Sequence, residues 1–164
     1  VQPGVVLDEL NAQLKPRGLM RIALYSDIAR QAVVKMRQQI AAQSMKPTLP
    51  DMRRCRQQIR PQLEAMGTQS LDYSPDFYCA SGCRDLFFHV MEHRFTLPQI
   101  AGMLTELELE FLGFQLPTVA LGQRYRAEFR DDPAMTGLEN WHRFELANPS
   151  IFQGMYFFWL QAKS

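Results

Sequence analysis

Lys15-Pro16-Arg17-Gly18, running straight into Leu19-Met20-Arg21-Ile22-Ala23-Leu24-Tyr25-Ser26, decides the fold. A turn built on proline and glycine feeds an almost wholly apolar run that stops at Ser26, a good helix N-cap type. A short apolar run without polar alternation, entered and left by turn or cap chemistry, suits a strand buried on both faces. Arg17 precedes Gly18, so a type I turn is expected, with Gly18 taking the left-handed position. Helical patterns flank the run on both sides. Helix, tight turn, buried strand and helix together are the grammar of an α/β layered fold with a parallel sheet.

Upstream, Val6, Leu7, Leu10 and Leu14 recur at helical spacing, which predicts a helix from Val5 to Leu14 that ends before Pro16. Downstream, Ser26 is expected to cap a helix over Asp27–Gln43 with Ile28, Ala32, Val33, Met36 and Ile40 on one side. Thr48-Leu-Pro-Asp51 and Thr96-Leu-Pro-Gln99 have the form of capping boxes. The first opens a helix with Met52, Cys55 and Ile59 on one face and Arg53, Arg56 and Arg60 on another. From Pro61 to Pro75 the pattern loosens into loop, and Ser74-Pro75-Asp76 reads as a further helix start. Asp85–Glu92 is expected to be helical, with Leu86 over Val90 and Phe87 over Met91. Leu109–Leu116 and Gly154–Gln161 read as strands, with helices at Val119–Phe129 and Leu138–Leu146 between them.

The expected organisation is thus a single, partial α/β domain over 1–164. It comprises helix, turn and buried strand at 5–26, a helical insertion or lid at 27–107, and a closing strand pair with helices at 108–164. At 164 residues, with 46% hydrophobic and 21% charged residues, the chain is of globular type. Its longest apolar run near the end, Met155–Leu160, is too short to cross a bilayer, so no membrane partner is expected. Three cysteines, an odd and sparse number, fit a reduced cytoplasmic setting. A net charge of +1 provides no bulk attraction to nucleic acid or anionic lipid.

The stretch Leu14–Ser26 resembles the turn and fifth strand of class I S-adenosylmethionine-dependent methyltransferases, which have a doubly wound, Rossmann-like sheet. Leu107-Glu-Leu-Glu-Phe-Leu-Gly-Phe114 resembles their sixth strand, and Met155–Gln161 resembles the antiparallel seventh that closes them. Gly82–His89, Glu92–Pro98 and Asn140–Glu145 are similar to bacterial methyltransferases often fused to tetratricopeptide repeats. The resemblance covers nearly the whole chain but only the C-terminal half of such an enzyme. It implies S-adenosylmethionine as cofactor of the complete enzyme, an N-terminal half as partner, and a methyl acceptor of unidentified chemistry. The chain's nine glycines include no Gly-x-Gly after a strand, so no cofactor-binding residue and no activity are expected of it alone.

Candidate substrate residues follow from two rules. Ligands of open parallel sheets sit beyond the carboxyl ends of strands, which points to Tyr25 and Ser26. A cluster of aromatic and titratable residues on the insertion adds His89, His93 and Arg94, which lie off the apolar stripes, with Tyr73, Tyr78 and Glu92. Catalytic residues are not readable. Cys79-x3-Cys83-x5-His89-x3-His93 has pairs at helical spacing, yet on one helix the two pairs point in separate directions, against zinc binding. A competing reading is a non-catalytic helical interaction module that touches nucleic acid through Arg53, Arg56 and Arg60, with Arg37, Lys46 and Arg54 nearby. The strand Leu19–Tyr25 lacks the Lys or Pro that blunts natural sheet edges, which predicts homodimerisation through that edge.

Overall fold

A computed structural model describes residues 9, 11–65, 75–88 and 92–163. The chain forms two compact units, one from residues 1–28 with 93–164 and the other from residues 29–92.

The first unit is an α/β layer on a mixed sheet of four strands. The strands are β1 (Leu19–Ser26), β2 (Arg94–Phe95), β3 (Leu109–Phe114) and β4 (Tyr156–Ala162), in spatial order β2-β1-β4-β3. β1 and β2 run parallel, whereas β4 is antiparallel to both β1 and β3. Three strands were expected; β2, two residues long, is too short to produce a sequence period.

The turn into β1 differs from expectation in detail. Arg17, not Gly18, takes the left-handed backbone, with φ +60°. Gly18 is required by space instead: a Cβ there would stand 2.8 Å from the Lys15 carbonyl oxygen, which accepts the Gly18 N–H. β1 is also buried on one face rather than two. Met20 and Ser26 are buried, while Leu19, Arg21 and Ala23 are exposed. The reason is register. Met20, Ile22 and Leu24 lie opposite Leu160, Phe158 and Tyr156 of β4, all three buried, and these pairs form the inner face.

The inner face is aromatic. Phe111 and Phe114 of β3 lie 5.0 Å apart, ring centre to ring centre, and each is within 6 Å of Phe158. Both face inward although three positions apart, because the ladder to β4 slips between Phe111 and Gly113. Leu112 is the extra residue of a β-bulge, and Gly113 has φ +135°, a backbone that favours glycine. That bulge explains the loose alternation in the sequence, and β3 stops at Phe114 rather than Leu116.

Helices α5 (Leu97–Glu106), α6 (Val119–Glu128) and α7 (Leu138–Ala147) belong to this unit; most of the helix expected from Val5 to Leu14 lies outside the described residues. The Thr96 box is realised, Gln99 Oε1 accepting the Thr96 N–H at 2.8 Å. α6 and α7 meet through Tyr125 stacked on Trp141 at 3.9 Å. Between them Asp132 accepts from Tyr125 OH at 2.6 Å and from Gly137 N–H at 2.9 Å. Burial opposes ionisation of Asp132, but these bonds, that of Tyr125 first, outweigh it and hold the carboxyl below its ordinary range.

The second unit is helical. It holds α1 (Gln31–Ala42), α2 (Leu49–Ala65), α3 (Pro75–Tyr78), α4 (Ala80–Cys83) and a π-helical turn at Arg84–Phe88. Its core joins Val33, Met36 and Ile40 of α1 to Met52, Cys55 and Ile59 of α2, with Phe77, Cys83 and Phe87. Three expectations need correction here. Ser26 does not cap a helix from Asp27; α1 starts at Gln31 with Arg30 as N-cap, because the Ser26 hydroxyl is engaged elsewhere. α2 runs through Pro61 to Ala65, where loop was expected. A proline removes one helical hydrogen bond, which the apolar stripe from Met52 to Ile59 offsets by anchoring the helix. Asp85 lies in π-helical rather than α-helical backbone.

Candidate functional site

The inner-face rule that buries Met20 places Ser26 inward at the carboxyl end of β1. On α7, Trp141, Phe144 and Glu145 are buried at i, i+3 and i+4, so a carboxylate occupies a position on the apolar stripe. Tyr156 starts β4 on the same inner face. These three polar side chains meet, each 0% exposed. The Ser26 hydroxyl donates to Glu145 Oε1, and Tyr156 OH donates to Glu145 Oε2 at 2.6 Å. Burial pushes the Glu145 carboxyl above its ordinary range, and the two hydroxyl donors only partly offset this. Burial, then the neighbouring Glu145 charge, pushes the Tyr156 phenol up as well. The trio is closed to solvent and ties β1, β4 and α7 to one another.

The solvent side of the same strand end carries other groups. Tyr25 pairs in register with Arg94 of β2, and Arg94 Nε lies 3.2 Å from Asp27 Oδ1, both side chains partly exposed. The Asp27 N–H donates to the Phe95 carbonyl at 2.9 Å, which fixes that turn. His93, next to Arg94, is exposed. Tyr25, Ser26, His93 and Arg94 are thus brought to one strand end, with Ser26 turned inward.

The remaining candidates lie in the second unit or outside the described residues. Glu92 holds two arginines. Arg30 donates to both its carboxylate oxygens, at 3.1 and 2.6 Å, and Arg37 Nη2 donates at 2.9 Å. Only 5% of the Glu92 side chain is exposed. Burial alone would raise its pKa, but the bonds and charges of Arg30, then Arg37, hold the carboxyl below its ordinary range. Arg37 also donates to the Leu86 carbonyl at 2.9 Å, so it braces α1 against the π-helical turn. Tyr78 is exposed at the end of α3, edge-on to Phe77 at 5.3 Å. Tyr73 and His89 lie outside the described residues.

The arginines of α2 are partly engaged within the unit. Arg56 Nη1 donates to the Tyr78 carbonyl at 2.6 Å, and Arg54 pairs with Asp51 at 3.1 Å. Cys55 and Cys83 are buried, and burial pushes the Cys55 thiol up to about 12 and the Cys83 thiol upward, which makes both poor nucleophiles. Cys79 is exposed, and its Sγ accepts the Gly82 N–H at 3.2 Å as the N-cap of α4. Among the described residues no group of three or more His, Cys, Asp or Glu side chains is placed to hold a metal ion. Nor is any described helix long and apolar enough to cross a membrane.

Sequence reasoning missed Glu145, Tyr156 and Asp27. The available signal was Glu145 itself, a charged residue at the i+4 position of a stripe begun by Trp141. No protein-family model matches the chain, and no curated protein matches it.

Proposed function

We propose that this chain is the acceptor-binding and lid half of an S-adenosylmethionine-dependent methyltransferase with a doubly wound sheet. One observation carries the reading. β4, the last strand, lies antiparallel between β1 and β3, which run parallel to each other. An antiparallel closing strand is what the resemblance of β1, β3 and β4 to a fifth, sixth and antiparallel seventh strand implies. The helical unit at 29–92 is inserted directly after the carboxyl end of β1, which agrees with a lid that covers an acceptor. Methyl transfer asks the protein chiefly for orientation and exclusion of water, and Tyr25, His93 and Arg94 are the groups proposed to orient the acceptor. The reading as a nucleic-acid module draws less support, since Arg56 is engaged with the Tyr78 carbonyl.

Calorimetric titration with S-adenosylmethionine tests the proposal. The 164-residue chain is expected to show no saturable site, and the full-length gene product is expected to show one. In the full-length product, His93→Ala should lower turnover with the melting temperature unchanged. Absence of cofactor binding by the full-length product would refute the reading.

A further inference from the structure

The charge of the chain is unevenly divided. Residues 29–92, the helical unit, hold nine Lys and Arg against six Asp and Glu, a formal +3, whereas the whole chain has +1. Within the unit, residues 31–65 hold seven Lys and Arg against Asp51 and Glu64, a formal +5. Asp51 is already paired with Arg54. Such asymmetry within one chain points to a polyanion as partner.

α2 orders this charge. Arg53, Arg56 and Arg60 stand at i, i+3 and i+7, so they share one side of the helix over about 10 Å of its length. Arg53 and Arg60 are exposed, while Arg56 is half-buried and its Nη1 donates to the Tyr78 carbonyl at 2.6 Å. That bond holds the end of α3 beside the stripe, and there the Tyr78 residue is 53% exposed. Among the described residues of this unit no other aromatic residue is exposed. The apolar stripe of α2, Met52, Cys55 and Ile59, lies in the core, so it offers no apolar face to a lipid surface.

We infer that this side of the helical unit binds single-stranded nucleic acid, with phosphates on Arg53 and Arg60 and an unpaired base stacked on Tyr78. Guanidinium groups pair bidentately with phosphate, and a row of them along a helix suits a polymer of spaced charges better than a single anion. The exposed ring beside the row gives a base a stacking platform, which a carboxylate polymer would leave unused. Arg56 is a brace here: engaged with a neutral carbonyl, it keeps its charge and holds Tyr78 next to the stripe. Phosphate and stacking contacts carry no sequence information, so binding is expected to be independent of sequence. The inference does not rest on the methyltransferase reading.

Fluorescence anisotropy of the 164-residue chain with a labelled oligothymidylate of about twelve nucleotides, a length suited to one site, tests this. At about 50 mM salt the strand is expected to bind with a dissociation constant of about 100 μM or below. Arg53→Gln and Arg60→Gln should each weaken binding and flatten the slope of log K against log salt by about 0.7. Tyr78→Ala should weaken binding by about fivefold or more at unchanged slope, and Tyr78→Phe should leave it intact. The melting temperature should not move in any of these, since each replaced residue is exposed. A duplex of the same length should bind more weakly, its bases being out of reach of the ring. No binding at the lower salt would overturn the inference, as would an affinity indifferent to Arg53 and Arg60 or to Tyr78. So would tighter binding to the duplex, to polyglutamate or to vesicles of anionic lipid than to the single strand.

Discussion

Glu145 and Glu92 are both removed from water, and their surroundings push them in opposite directions. Glu145 meets two neutral hydroxyl groups, from Ser26 and Tyr156, and its carboxyl is raised. Glu92 meets two guanidinium groups, from Arg30 and Arg37, and its carboxyl is lowered. Burial acts upward on both, so the partner's charge decides the sign. The difference teaches that the two carboxylates answer acid and base oppositely. Below the ordinary carboxylate range, folded and unfolded chains both keep a proton on Glu145, and its contribution to the first unit is full. As pH rises through that range towards its folded value, only the folded chain retains the proton and stability falls. For Glu92 the contribution is full above the ordinary range and is lost as pH falls towards its lowered folded value.

The largest expected effect tests the charged side. Glu92→Gln keeps the volume but removes the negative charge between two arginines, one of them buried, and should destabilise residues 29–92 by about 3 kcal/mol. Denaturant titration with exchange read on α1 and α2 measures it; a loss under about 1 kcal/mol would mean that the pair is solvated in practice. Next, Tyr156→Phe deprives Glu145 of a donor within a closed pocket and should cost about 1–3 kcal/mol, read on β4 and α7. Ser26→Ala should follow it more weakly.

The comparison is sharpened by pH. Glu145→Gln is expected to change neutral stability by less than about 1.5 kcal/mol, because an amide oxygen still accepts from the hydroxyls. It should also remove the loss of stability on raising pH above the carboxylate range. If wild type and this variant show parallel profiles there, Glu145 is not the group that titrates. Thiol labelling offers the smallest effect. Cys79 should react in the folded state, and Cys55 and Cys83 only on opening of the helical core. Glu92→Gln should speed labelling of Cys55 while Tyr156→Phe should not; equal acceleration by both would show that the units open together.

Legibility from sequence followed the range of the interactions. The Thr96 and Gln99 box was readable because both partners lie within one helical turn. The stripes Met36/Ile40 and Met52/Cys55/Ile59 were readable because helical spacing brings them to one face. Ser26 was misread as a cap since its acceptor, Glu145, lies 119 positions away, and local chemistry favoured the helix start. The bond of Arg37 to Glu92 was not legible for the same reason, the carboxylate being 55 positions on. Pro61 was read as a stop on a local penalty that the core outweighs. The one-sided burial of β1 depends on what covers the sheet, which an apolar run does not record.

The bulge in β3 bears on which changes of chain length the sheet can absorb. Side-chain direction in a strand is a two-state phase, and Leu112 shifts it by one step. Without Leu112, Phe111, Gly113 and Phe114 would follow one another in plain alternation against Leu160, Trp159 and Phe158, the partners they already have. Loss of that residue would therefore re-aim no aromatic ring of the core and would relieve Gly113 of its unusual backbone. Loss of Gly113 instead would leave Leu112 to cross from Phe111 to Phe114 as a side chain facing solvent beside Trp159, itself 41% exposed. Loss of Phe111 or Phe114 would take a ring out of the inner face. β3 thus carries a spare residue, and a shortened relative of this chain should be missing the one at 112.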